Sequence, residues 1–289
     1  MQRKKIKLVY WNKPNFGDIL SPYIIHKLSQ QEIQYKDYYH GFWGCCKDII
    51  KKLLTFKAKS ITNIHFPFDK NILGIGSIIA QGNKHSIIWG SGFINESETF
   101  KGGNVLAVRG HATNEKIIKQ GFSGCNVFGD PALLIPLLIS PNPKPINKLG
   151  IIPHVKETDY FIKKFSHKYK IIDLRTYNIE QTIQEITGCK YVLSTSLHGI
   201  IVSHAYNIPA LWIKHGYIDT DGFKFRDYFS SVNIQAYNGF TNIDELLNNE
   251  YCWEELFQKY NHLALPQKDI KTIQKQLLEV APFPINLKL

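Results

Sequence analysis

The sequence predicts an α/β protein built from two Rossmann-like domains. Short runs rich in β-branched residues alternate with longer segments of helical period, which is typical of parallel sheets with crossover helices. The alternation occurs twice, and a polar stretch with three prolines, residues 139–148, separates the halves. The length of 289 residues also fits two domains. We expect an N-terminal α/β domain (1–138), a linker (139–148), a C-terminal Rossmann-like domain (149–265) and a C-terminal helix and tail (266–289).

The first half contains apolar runs that predict five strands: Ile6–Trp11, Asn71–Ile75, Ser86–Gly90, Val105–Arg109 and a short fifth, Val127–Phe128. A helix is predicted over Ile19–Gln30, because Asp18 precedes it and Pro22 falls in its first turn. A second helix, Ala112–Gln120, ends against Gly121, a favourable C-terminal cap.

The segment Gln31–Phe68 is rich in aromatic residues and lysine and shows no clear period. One interpretation is a packed helical excursion, because aromatic side chains are usually buried. The other is an insertion near a binding face, where Gly41-Phe42-Trp43-Gly44 and the neighbouring lysines would contact a membrane surface or a sugar.

The second half repeats the alternation. Its predicted strands are Lys148–Ile152, Lys170–Leu174, Tyr191–Ser194 and Ala210–Lys214, and its predicted helices are Glu157–Phe165, Ile179–Thr187 and Gly199–Tyr206. The amphipathic segment Lys268–Val280 is predicted to form a last helix that packs on a domain surface.

The composition indicates a folded, soluble protein, with 44% hydrophobic and 20% charged residues. The longest apolar run, Ala132–Ile139, is too short for a membrane-spanning helix and is interrupted by Pro136. Five cysteines without C-x-x-C spacing indicate reduced thiols and a cytoplasmic location. No H-E-x-x-H motif or paired Cys/His spacing occurs, so we expect no metal.

A formal net charge of +11 favours anionic partners such as phosphates or the inner face of a membrane. Nucleic acid is not expected, because no recognition motif accompanies the charge. Arginine is scarce here, and its guanidinium can grip carboxylate or phosphate with two donors. Arg109, Arg175 and Arg226 are therefore candidate anion ligands, with an ordinary ion pair as the alternative for each.

Turns that follow strands are where parallel α/β sheets bind ligands. Asp18 follows the first strand, either as a helix cap or as a group that accepts a substrate proton. Gly74-Ile75-Gly76-Ser77 and Gly90-Ser91-Gly92-Phe93 offer bare backbone N–H groups, although neither completes a nucleotide fingerprint. Arg109 precedes a helix whose N-terminus also favours anions.

In the second half, His198 stands in a hydroxyl-rich turn between a strand and a helix, Ser194-Thr195-Ser196-Leu197-His198-Gly199. This position favours a general acid or base over a purely structural histidine. His154 occupies the equivalent place after an earlier strand. Lys224 and Arg226 add two cations among aromatic residues, as ligands or as a surface ion pair.

Taken together, five turns resemble the polysaccharide pyruvyl transferase family over roughly residues 8 to 230. They are Asn15-Phe16-Gly17-Asp18, Gly90-Ser91-Gly92, Val108-Arg109-Gly110, Gly129-Asp130-Pro131-Ala132 and Ser194-Thr195-Ser196-Leu197-His198-Gly199. The resemblance implies a GT-B-like arrangement, in which two Rossmann-like domains face each other across a cleft. It also implies transfer of a pyruvyl group from phosphoenolpyruvate, as co-substrate without a further cofactor, onto a sugar of a surface polysaccharide precursor.

The resemblance implies roles for particular residues. His198 matches the active-site histidine and Arg109 an arginine that holds phosphoenolpyruvate, while Asp18 is a candidate catalytic base or acceptor ligand. Further expected donor-binding residues are Ser194, Ser196, Gly199, His154, Lys214 and Lys224. Expected acceptor-binding residues are Asn15, Gly17, Gly90 and Ser91.

One position departs from the family pattern, because Ser196 stands where some members carry arginine. Lys214, Lys224 or Arg226 could supply the missing charge. The departure also keeps open a GT-B-type glycosyltransferase that uses a nucleotide sugar, and a non-catalytic component of polysaccharide assembly. If the protein is a pyruvyl transferase, the expected acceptor is a lipid-linked oligosaccharide, which the protein reaches by peripheral contact with the inner membrane face.

Overall fold

The computed structural model describes residues 5–216 and 219–286. Five parallel strands form a first sheet: β1 Ile6–Val9, β2 Ile33–Lys36, β3 Ile72–Leu73, β4 Ile87–Trp89 and β5 Asn104–Ala107. Four parallel strands form a second: β6 Asn147–Ile152, β7 Lys170–Ile171, β8 Cys189–Ser194 and β9 Ala210–Trp212. The orders are β2-β1-β3-β4-β5 and β7-β6-β8-β9. The predicted α/β class is therefore confirmed.

The α-helices, in chain order, are α1 Phe16–Ser29, α2 Gly41–Leu54, α3 His111–Lys119, α4 Thr158–Phe165, α5 Ile179–Thr187, α6 Leu197–Ala205, α7 Phe223–Ser231, α8 Ile243–Asn248, α9 Glu250–Lys259, α10 Asn261–Ala264 and α11 Ile270–Glu279. Short 3-10 helices cover Ala58–Asn63, Ile79–Gln81 and Pro131–Leu137. Side-chain caps explain three of the helix starts, since Asn15, Asn178 and Asp269 each accept a hydrogen bond from a backbone N–H of the first turn.

The predicted elements occur in the predicted order, with two corrections. Val127–Phe128 is not a strand, because Phe128 makes only an isolated bridge to Val108. The last two residues of the predicted linker, Asn147 and Lys148, already belong to β6.

The segment Gln31–Phe68 contains β2, α2 and a 3-10 helix; the sequence pattern offered a helical excursion here without bounds and did not predict the strand. Strand β2 pairs with β1 from Ile33 to Lys36 and extends the first sheet by one strand. In α2, Cys45 is the one buried residue, so packing against the body of the protein accounts for little of this helix.

The C-terminal segment forms the predicted helix and packs on the first half of the chain. In α11, Gln274 Nε2 donates to the carbonyl of Leu133 (2.7 Å), and Trp89 Nε1 donates to the carbonyl of Leu277 (2.9 Å). The main hydrophobic core cluster includes residues from both sheets, such as Leu8 and Ile151.

Candidate active site

The strand order of each sheet reverses once, between β1 and β3 in the first sheet and between β6 and β8 in the second. Ligands of open α/β sheets bind beside such reversals, at the carboxyl ends of the strands. The segments that leave these four strands carry Asp18, Gly76, His154 and His198. Topology alone therefore selects several of the residues that the motifs had singled out.

His198, the second residue of α6, lies against the start of α1. A Cβ atom at position 17 would collide with Nδ1 of His198, so only glycine allows this approach. The contact joins the segment after β1 to the segment after β8, which are about 180 residues apart in sequence.

The buried side of the His198 ring faces a carboxylate. Its Nε2 lies 3.9 Å from Oδ2 of Asp130, and neither atom has a hydrogen-bond partner. Burial, together with the charges of Arg109 and Lys224, lowers the pKa of His198 to about 3. Burial raises the pKa of Asp130 to about 7, against the hydrogen bond from the backbone N–H of Ala132 and the charge of Arg109. The imidazole is therefore neutral at pH 7, and Asp130 can exchange a proton near that pH.

Asp18 is a second carboxyl group with a displaced pKa. Burial raises its pKa to about 7, and the charge of Lys224 opposes that rise. Lys224, in the first turn of α7, has its pKa lowered to about 8 by burial and then by Arg109, whereas Asp18 raises it. Both groups titrate near neutral pH, where proton donors and acceptors are most effective.

The capping interpretation of Asp18 is wrong. Helix α1 begins three residues earlier than predicted, at Phe16, and Asn15 is its cap, since Oδ1 of Asn15 accepts from the backbone N–H of Gly17 (3.2 Å). Asp18 lies inside the first turn, which leaves its carboxyl group free for another role.

Arg109 is fully buried, and each of its three guanidinium nitrogens donates one hydrogen bond. Its Nε donates to Oδ2 of Asp227 (2.9 Å), Nη2 to the carbonyl of Phe93 (2.5 Å) and Nη1 to Oγ of Ser77. In this arrangement Arg109 acts on the site through its charge. Because the side chain is fully buried, it presents no exposed atom to a donor anion in this structure.

The other two candidate arginines, Arg175 and Arg226, bind acceptors elsewhere. Arg175 forms ion pairs with Asp159 and Asp173. Nη1 of Arg226 donates to the carbonyl of Asp221 (3.1 Å). The ion-pair interpretation therefore describes Arg175.

Ser194 shapes the turn that carries His198. Its Oγ accepts from the N–H of Ser196 (3.0 Å), and its one hydroxyl hydrogen is within reach of the carbonyls of Ile152 (2.7 Å) and Ser196 (2.8 Å). A side chain at Gly199 would collide with that oxygen. Ser196 precedes α6, and its hydroxyl makes no capping bond.

His154 and Lys214 differ in their relation to the site. Burial is the main cause that lowers the pKa of His154 to about 4, and the charge of Lys224 adds to it. His154 is therefore close enough to Lys224 to interact with the cluster around His198. Lys214 is exposed, and its ammonium group lies 5.8 Å from the ring of Trp212.

Gly90 and Ser91 lie beneath the site. A side chain at Gly90 would collide with Pro131, and Oγ of Ser91 donates to the carbonyl of Gly76 (2.8 Å). Both residues therefore support the loops that carry Asp130 and Gly76.

Sequence reasoning missed three acidic features as site residues. Asp130 was visible in Gly129-Asp130-Pro131, but its approach to His198 was not. Glu157 is buried, accepts from the N–H of Gly216 (2.9 Å) and leaves Oε2 without a partner, and nothing in its surrounding sequence signalled this. The motif reasoning also passed over a D-x-D pattern, Asp219-Thr220-Asp221, in which Asp219 forms an ion pair with Lys156.

Within the part of the chain that the structure describes, no group of three or more His, Cys, Asp or Glu residues is arranged to hold a metal ion. Over the same residues, no helix combines the length and apolar character needed to cross a membrane.

Comparison with known proteins adds the family. The family model described as polysaccharide pyruvyl transferase matches residues 15–217, which include Asp18, Arg109, Asp130 and His198. The chain belongs to this family. It is also 28% identical over 200 residues to a protein of Acanthamoeba polyphaga mimivirus named "Uncharacterized protein L143", covering 65% of this chain and 69% of that protein. No solved structure matches with significance.

Membership of the polysaccharide pyruvyl transferases makes the protein a transferase that acts on polysaccharide. Membership of this family also accounts for the order in which the five turns occur along the chain. Lys224 and Asp227 lie beyond the matched residues, so their place in the site rests on the geometry described above.

Proposed function

We propose that the protein transfers a pyruvyl group from phosphoenolpyruvate onto two hydroxyls of a sugar in a surface polysaccharide precursor, forming a pyruvate ketal. The family supports pyruvyl transfer onto polysaccharide in general. The observation that carries the finer proposal is the cluster around His198: a neutral imidazole, a carboxyl group that can be protonated at pH 7 and the ammonium group of the half-buried Lys224.

The reaction needs one base and one acid at the outset. His198 takes the proton of the first sugar hydroxyl as that oxygen bonds to C2 of phosphoenolpyruvate. Asp18 gives its proton to the methylene carbon, which becomes a methyl group. Environments that push two pKa values apart allow one site to supply both roles.

The second half of the reaction restores both groups. The C2–O bond to phosphate breaks, phosphate leaves with the electron pair, and His198 returns its proton to it. The second hydroxyl bonds to C2 and gives its proton to the Asp18 carboxylate. The products are the cyclic ketal and inorganic phosphate, and both residues are back in their starting state.

Lys224 is the group best suited to replace the arginine that is missing at Ser196. It is half-buried, and its charge interacts with those of Asp18, Arg109 and His198. Lys214 is exposed, and Arg226 already donates to Asp221. With a pKa of about 8, Lys224 is mostly charged at pH 7 and can bind the donor phosphate.

His198 and Asp130 form a pair in which the carboxylate stabilises the imidazolium that appears during transfer. Their separation of 3.9 Å is longer than a hydrogen bond, and such bonds often shorten when substrate is bound. The 14% of the His198 side chain that remains exposed is the part available to the acceptor hydroxyl.

The acceptor that we propose is a lipid-linked oligosaccharide presented at the cytoplasmic face of a membrane. A net charge of +11 favours the approach of the protein to anionic lipids. The free thiols of all five cysteines fit the same compartment.

The first experiment is calorimetric titration of the purified protein with phosphoenolpyruvate and, separately, with a panel of nucleotide sugars. We expect saturable binding of phosphoenolpyruvate that weakens at least tenfold in Lys224→Met. Lys214→Met is expected to keep wild-type affinity, and the exposed Lys163→Met serves as a control for the loss of one positive charge.

Two results would overturn the proposal. Binding of a nucleotide sugar without binding of phosphoenolpyruvate would indicate a glycosyltransferase, and absence of both would indicate a non-catalytic component. Equal affinity of the Lys224→Met variant and wild type would remove Lys224 from the donor site while leaving the donor assignment intact.

A further inference from the structure

Helix α2 contacts the body of the protein along one narrow side. Cys45 is buried and its Sγ donates to the carbonyl of His65 (3.0 Å). Asp48, Ile49 and Lys52 follow at helical spacing and are half-buried, and Lys52 forms an ion pair with Asp37 (2.8 Å). These contacts fix which side of the helix faces outward.

The outward side carries large apolar side chains. They are Phe42 (61% exposed), Trp43 (77%), Ile50 (57%), Leu53 (53%), Leu54 (75%) and, just after the helix, Phe56 (97%). We name these six residues the α2 face. Exposed apolar residues are normally scattered singly over a protein surface, whereas a contiguous set marks an interaction site.

The charges around the α2 face are positive. Lys47, Lys51 and Lys57 are exposed, and Asp48 is the one acidic residue between Gly41 and Lys57. Asp48 is turned to the side and lies 3.4 Å from Nδ1 of His40. Tryptophan, phenylalanine and leucine bordered by lysines are typical of helices that lie in the surface of an anionic bilayer, where the rings enter the acyl boundary and the ammonium groups meet phosphates.

The α2 face is close in the fold to the candidate active site. Helix α2 follows the carboxyl end of β2, on the sheet edge from which Asp18 also leaves. Between them, Tyr38 contacts the ring of Trp11 (5.8 Å between ring centroids), and the charge of Asp18 contributes to the raised pKa of Tyr38.

We propose that the α2 face inserts into the surface of an anionic lipid bilayer and so holds the active site next to the membrane. The surface assignment rests on exposure and charge alone. Its purpose, presenting the site to a lipid-linked acceptor, rests on the proposed function.

The test is sedimentation with vesicles of phosphatidylcholine alone or of phosphatidylcholine with 30% phosphatidylglycerol, at low and high salt. We expect binding to the anionic vesicles at low salt, weakened by salt as screening requires. Trp43→Glu/Leu54→Glu should weaken this binding at least tenfold. Lys47→Glu/Lys51→Glu, which leaves the apolar residues in place, should also weaken it. Ile146→Glu, which changes an apolar side chain that is 81% exposed elsewhere, should bind like wild type.

The proposal is overturned if wild type ignores anionic vesicles, or if both double variants bind as wild type does. It is also overturned if the α2 face joins two copies of the chain, which would appear as self-association lost in the variants without vesicle binding. Phosphoenolpyruvate titration of the same variants is expected to be unchanged. Failure of the proposed donor would therefore be distinguishable from failure of the membrane surface.

Discussion

Burial displaces the pKa values of the site residues in opposite directions. It disfavours the charged form of any group, so it lowers the pKa of His198 and Lys224 and raises that of Asp18 and Asp130. At pH 7 the result is a neutral imidazole, two carboxyl groups close to their pKa values and an ammonium group that is still mostly charged. Such displaced values are costly to stability and are concentrated at functional sites.

We expect Asp130→Asn to change the pH dependence of stability. The folded-state pKa of Asp130 is raised from 3.8 to about 7, so between these values the folded state binds a proton that the unfolded state has lost. The wild type therefore loses stability as pH rises through this window, whereas the neutral amide does not. Urea unfolding at pH 4.5 and pH 8 is expected to show a larger gain from the substitution at pH 8. An equal difference at both pH values would contradict the assigned pKa.

At the scale of elements, a buried ion pair connects α3 to α7. Asp227 accepts from Nε of Arg109 and from both the N–H and the hydroxyl of Thr113 (each 2.7 Å), at the start of α3. Gly110 has no room for a side chain because the backbone of Asp227 lies against it. The same carboxylate thus holds a helix N-terminus and the arginine whose charge acts on His198 and Lys224.

Loss of the Asp227 carboxylate should strongly lower the stability of the folded protein. In Asp227→Ala the Arg109 guanidinium stays buried without its counter-charge, which typically costs about 3–5 kcal/mol. The measurement is the free energy of unfolding in urea for Asp227→Ala, with Arg226→Ala as the control because Arg226 is the preceding residue of the same helix. A change within about 0.5 kcal/mol for both, the usual range for surface substitutions, would mean that the pair contributes little.

At the scale of the whole molecule, α11 and the residues that follow it pack against the first half of the chain. Trp89 donates to the carbonyl of Leu277 and stacks edge-on against Phe283 (5.1 Å between ring centroids). The backbone N–H of Asn286 donates to the carbonyl of Leu28 (2.8 Å) at the end of α1. The segment from α11 to Asn286 therefore packs against the elements around the first sheet.

Leu277→Ala should lower the stability of the entire protein. Leu277 is fully buried, and such truncations cost about 2–5 kcal/mol through lost burial and the cavity left behind. Because one core cluster includes residues of both sheets, we expect fluorescence and far-ultraviolet circular dichroism to report the same shifted transition. Two separated transitions would show that the halves unfold independently. Lys275→Ala on the exposed side of α11 is the control.

The sequence predicted the parts of the fold that have clear periodicity. Helix α5 begins and ends where predicted, at Ile179 and Thr187, because its apolar spacing is regular and Asn178 caps it. Strand β2 escaped prediction because it is short and ends in Lys36, a residue rarely buried, which Asp69 stabilises from 33 positions away (2.8 Å).

The sequence predicted which residues belong to the candidate site, but not the contacts that connect them. Strand-end turns identified Asp18, Arg109 and His198, since parallel sheets gather ligands there. Their partners could not be predicted, because Asp227 lies 118 residues from Arg109 and no local pattern encodes such a contact. The displaced pKa values follow from burial, which only the fold defines.

The bond between Trp89 and Leu277 spans 188 residues of sequence. A chain made from its N-terminus must therefore synthesise both sheets before α11 exists to cover Trp89. Until then the unfinished first half exposes an apolar surface, which favours aggregation of incomplete chains. Folding of the first half is expected to wait for α11, so nascent chains that stall before α11 should depend on chaperones more than chains that already contain it.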